Sequence, residues 1–94
     1  MQYRLTFGTV RESHRRAIYV LRVHGKLLEN SEIDDLAERM RERLLSRGES
    51  AADVVIVQGD TRETFGIFGS PYSRSVVRTA LFNAAVSWTP ITLE

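Results

Sequence analysis

The chain contains no cysteine, which excludes disulfides, thiolate zinc sites and cysteine nucleophiles. It has only two histidines, His14 and His24. A metal centre needs further His, Asp or Glu at a defined spacing, and none accompanies either, so no metal and no cofactor is expected. A surplus of one charge is missing as well. Thirteen basic residues face twelve acidic ones, far from the footprint of a protein that grips nucleic acid electrostatically. No apolar run approaches the ~20 residues that cross a bilayer. Met1-Gln2-Tyr3-Arg4-Leu5 lacks the basic and apolar regions of a signal peptide, so a cytoplasmic protein without membrane contact is expected.

What is present suits one globular unit. Ninety-four residues fill a single core, and a chain of this size buries roughly 60–65% of its unfolded surface. We therefore read 1–94 as one α+β domain. Leu93-Glu94 is the dipeptide that a cloning junction leaves before a tag, so it is set apart from the fold argument.

Tyr3, Leu5 and Phe7 alternate with polar residues as in a half-buried strand. After a polar connection, Ala17 to His24 reads as a second strand with unequal faces. Ala17, Tyr19, Leu21 and Val23 are all apolar, whereas Ile18 and Val20 share their side with Arg22 and His24. A one-residue parity decides which set is buried, and the uninterrupted set is expected to face the core. Ser31 with Asp34 fits a capping box, and Ile33, Leu36, Ala37, Met40, Leu44 and Leu45 form one helical stripe. Arg47-Gly48 supplies a basic last turn and a left-handed stop. Val54-Val55-Ile56-Val57 has the composition of a strand buried on both faces. Gln58 to Thr61 turns into another strand, Glu63 to Phe68. Ser70 and Pro71 then cap and start a second helix, and Thr89 to Thr92 adds a short edge strand at most.

The order is ββαββα with a short optional final strand, and βαββαβ, the ferredoxin-like order, after the first strand. The expected architecture is a two-layer sandwich, a largely antiparallel four- or five-stranded sheet with two helices on one face. The other face would then be open and would carry Ile18, Val20, Arg22 and His24. Apolar residues on an open sheet mark a contact surface, so a homo-oligomer formed through these four residues is the first expectation. Function on this reading is a small non-catalytic binding or assembly module.

Two other sites are consistent with the sequence. Gly66 to Ser75 brings glycines to a helix N-terminus, where free amides favour an anion. Ser70, Tyr72, Ser73 and Arg74 are the candidate contacts for a phosphorylated or carboxylate small molecule. Arg11, Arg15, Arg16, Arg22 and Lys26 concentrate positive charge near the first hairpin. Ile18-Tyr19-Val20 and Arg62 to Phe68 resemble the strand motifs of RNA-recognition-motif domains, whose aromatics stack on bases. That resemblance would make Tyr19 and Phe65 a platform for RNA on the sheet. Ile67, however, stands where the family has a second aromatic and Glu63 where it has glycine, so the family is not assigned and nucleic acid is the weaker expectation. Asp60 reads as turn chemistry. No cluster of acid, base and nucleophile stands out, so catalysis is not expected.

Overall fold

The computed structural model describes residues 3–11, 17–49, 53–59, 66–83 and 86–93. His14, Arg15, Arg16, Asp60, Arg62, Glu63 and Phe65 lie outside the described residues. The chain runs β1 (Arg4–Val10), β2 (Ile18–His24), α1 (Asn30–Ser46), β3 (Val54–Gln58), β4 (Gly66–Phe68), α2 (Pro71–Phe82) and β5 (Thr89–Ile91). The strands form one sheet in the order β4-β3-β2-β1-β5. All neighbours are antiparallel except β2 and β3. This is the expected α+β sandwich with a five-stranded, largely antiparallel sheet. β2 and β3 pair directly, so the spatial order departs from the split βαβ unit of ferredoxin-like folds. The short final strand forms, at an edge where Pro90 is tolerated.

The two helices do not share a face. Leu21, Val23, Val54 and Ile56 pack with Ile33, Leu36, Met40 and Leu44 of α1. Ile18, Val20, Val55 and Val57, which alternate with them, pack with Val77 and Ala80 of α2. The expected pair of layers is therefore three, with a helix on each side of the sheet. The cause lies in the central strands. Val54 to Val57 is apolar without alternation, and a strand of that kind needs cover on both sides. With both helices on one side, Val20, Val55 and Val57 would face water; instead each is fully buried, at 0% exposed. The parity question for β2 has no single answer, because both of its faces are covered.

Connectivity explains how α2 reaches its position. The chain leaves β4 at one edge and must return to β5 at the other. At 1.5 Å per residue, the twelve residues of α2 span about 18 Å, slightly more than the ~14 Å across four strands. The helix accordingly touches β1, β2, β3 and β4 in turn. Gly8 permits the return, since a Cβ there would overlap Val86 Cγ1 in the segment leading to β5.

α1 begins earlier than the Ser31 cap suggests. Leu28 is buried, with its N–H donating to Gln58 Oε1 and its carbonyl accepting from Gln58 Nε2. That clamp fixes the chain just before the helix and puts Glu29 at the N-cap. The Glu29 N–H donates to Glu32 Oε1 at 3.0 Å, and Lys26 Nζ donates to Glu32 Oε2 at 3.1 Å. The other end follows expectation. Gly48 adopts φ +79°; its N–H donates to Leu45 O at 3.0 Å and the Glu49 N–H to Leu44 O at 2.9 Å. These are the paired bonds of a Schellman stop. Among the described residues no helix is long and apolar enough to cross a membrane.

Candidate functional site

α1 lies chiefly over β3, so the same face of β1 and β5 forms a shelf beside the helix. Leu5, Phe7 and Ile91 on that shelf are half-buried, as is Tyr19 on the neighbouring strand β2. The angle between shelf and helix flank is a groove. One part is a cavity of about 220 Å³ with Phe7, Tyr19, Met40 and Leu44 among its apolar walls. A shallower hollow of about 670 Å³ continues past Ile91 toward Tyr3, Leu36 and Arg39.

Helical spacing sets the electrostatics of the groove. Leu36, Met40 and Leu44 point into the core. Arg39, Arg43 and Arg47, also four residues apart, form the adjacent row along the groove. Arg11, from the end of β1, reaches the same cavity. Arg39 donates to Leu93 O at 2.6 Å and Arg43 to Thr92 O at 2.9 Å. Those bonds orient two guanidinium groups without neutralising them. Arg39 also sits 3.8 Å from Asp35, in an exposed pair that contributes little. Among the described residues, neither Arg11, Arg43 nor Arg47 has a carboxylate at ion-pairing distance.

Glu49 is the acidic group in the cavity wall, and it is engaged. The Schellman stop places it where Tyr19 Oη donates to Glu49 Oε1 at 2.8 Å. Acceptance by that carboxylate, then partial burial and the nearby negative charge, hold the Tyr19 hydroxyl above its ordinary pKa, with Arg11 pulling weakly the other way. Tyr19 thus stays a neutral donor at neutral pH. Its ring is fixed against Phe7, with centroids 6.2 Å apart and planes 14° from parallel.

No protein-family model, curated protein or solved structure matches the chain. The reading of the site rests on its chemistry.

The residues singled out by sequence fall in three places. Ile18 and Val20 are 3% and 0% exposed beneath α2, so they offer no contact surface. Burial by the second helix overturns that expectation. Arg22 and His24 lie on the same face, half-buried. Arg22 Nε donates to Gly59 O at 2.7 Å, and its guanidinium lies 5.3 Å from the Trp88 ring centroid. His24 Nε2 is 2.8 Å from Thr6 Oγ1. At the N-terminus of α2, Ser70 caps the helix by accepting from the Ser73 N–H at 3.3 Å. Ser73 turns inward and is 1% exposed, while Tyr72 and Arg74 turn to solvent. Those four side chains therefore do not converge on one point. Among the described residues no group of acidic, histidine or cysteine side chains could hold a metal.

The arginine row escaped the sequence reading because Arg39, Arg41 and Arg43 look like the solvated cover of an amphipathic helix. The signal was its four-residue spacing alongside Leu36, Met40 and Leu44. Nothing in the sequence says that α1 would leave a shelf beside that row.

Proposed function

We propose that the chain is a small non-catalytic binding module that holds an anionic small molecule, a phosphate or carboxylate, in the groove between α1 and the β1–β5 shelf. One observation carries the reading: Arg11, Arg43 and Arg47 border an apolar-walled cavity and have no carboxylate partner among the described residues. Guanidinium groups of this kind suit the planar, multidentate acceptors of a phosphate or carboxylate. The Thr92 carbonyl already orients Arg43, which lowers the ordering cost of binding. The anion expected at Ser70, Tyr72, Ser73 and Arg74 moves to this groove. Self-association, first expected through Ile18 and Val20, has lost the apolar pair on which it was based. The reading keeps a cytoplasmic setting and needs no cofactor.

Charge-assisted hydrogen bonds are worth about 1.5–3 kcal/mol each. Three of them at the upper value total about 9 kcal/mol, and an association cost of at least ~4 kcal/mol leaves about 5, so a simple anion is expected to bind no more tightly than about 0.2 mM. Calorimetric titration with pyrophosphate at low salt tests this. Arg43→Gln with Arg47→Gln is expected to weaken binding at least tenfold, and Arg74→Gln to leave it unchanged. The opposite pattern would return the site to the start of α2.

A further inference from the structure

We infer that the anion is carried by a flat heteroaromatic ring, as in a free nucleoside monophosphate, and that the Phe7–Tyr19 pair receives the ring. This rests on the groove reading above and adds a second recognition element to it. Two half-buried rings lie nearly parallel, 14° apart with centroids separated by 6.2 Å, in the wall of the cavity. Tyr19 is oriented by the bond from its hydroxyl to Glu49, whose backbone is placed by the Gly48 stop. Met40, Leu44 and Ile91 contribute further apolar surface, so the site is a slot with aromatic and aliphatic sides. At about 220 Å³ it is smaller than the ~300–1,000 Å³ that enclose a drug-sized ligand. It therefore takes one ring system and leaves the charged end outside, among Arg11, Arg43 and Arg47. Stacking on aromatic side chains is tolerant of base identity, so the slot selects for a ring rather than for one base.

A ring carrying a phosphate also occurs in single-stranded nucleic acid. The net charge of +1 favours the free nucleotide over a polyanionic strand. Binding of inorganic phosphate, pyrophosphate, adenosine monophosphate and a short oligoadenylate separates the cases. The monophosphate is expected to bind at least tenfold more tightly than inorganic phosphate, with its base protons shifted upfield by the protein rings. Phe7→Leu is expected to reduce monophosphate affinity to that of phosphate while pyrophosphate binding persists, which also reports that the variant is folded. Because Phe7 contributes to the core, Glu49→Gln serves as a second variant; it retains an acceptor for Tyr19 and is expected to preserve the upfield shift. Equal affinity for monophosphate and phosphate, with unshifted base protons, would overturn the ring slot and leave the anion groove standing. Tighter binding of the oligonucleotide with steep salt dependence would overturn the free nucleotide. Binding of none of these probes would overturn the anion groove itself.

Discussion

Replacing Val20 by alanine removes two methyl groups from a side chain that is 0% exposed, in the layer between β2 and α2. At about 0.8 kcal/mol per buried carbon, the transfer cost is about 1.6 kcal/mol. Val55, Val57 and Val77 around it are also fully buried, so the gap closes only in part and a cavity cost adds to the transfer cost. The expected loss is about 2–3 kcal/mol. For a domain of this size that lowers the thermal midpoint by roughly 10–20 °C. Urea unfolding is the assay, with the denaturant slope unchanged between variant and parent. Leu45→Ala is the control, since Leu45 is 64% exposed and its truncation is expected to cost less than about 0.5 kcal/mol. A Val20→Ala loss as small as that of the control would refute the placement of α2 over this face.

Three further outcomes follow from local geometry. Gln58→Met strips the buried Leu28 N–H and carbonyl of their partners and is expected to cost about 2–4 kcal/mol in urea unfolding. Gly48→Ala forces a side chain into φ +79°, costing about 1–2 kcal/mol, and is expected to loosen the Tyr19–Glu49 bond, read as a fall of the Tyr19 titration midpoint toward its ordinary value. The Glu29 N–H first, and then Lys26, hold the Glu32 carboxyl below its ordinary pKa of 4.5. A lowered carboxylate pKa stabilises the fold above the unfolded value and ceases to do so as pH falls through the folded one. The midpoint advantage of the parent over Glu32→Gln is therefore expected at neutral pH and to decline as pH falls below 4.5 through the lowered folded value.

Local chemistry made much of this fold legible. The stripe from Ile33 to Leu44 and the Gly48 stop predict α1, and Ser70-Pro71 predicts the start of α2. The Val54–Val57 run predicts a strand covered on both sides. That same run contradicts the two-layer sandwich that element order alone suggests. The remainder depends on contacts distant in sequence. The N-cap of α1 shifts because Gln58, thirty residues on, holds Leu28. Likewise, the groove exists because β5 joins β1 at the edge away from α1, which no periodicity encodes. The arginine row was visible as spacing, but its function depends on what lies beside it.

The most direct measurement is an amide chemical-shift titration with pyrophosphate at low ionic strength. If the groove holds the anion, the resonances that move first and furthest belong to the Phe7–Arg11 end of β1 and to Arg43–Glu49. Shifts confined to Tyr72–Ser75, or a spectrum unmoved at millimolar pyrophosphate, would contradict it.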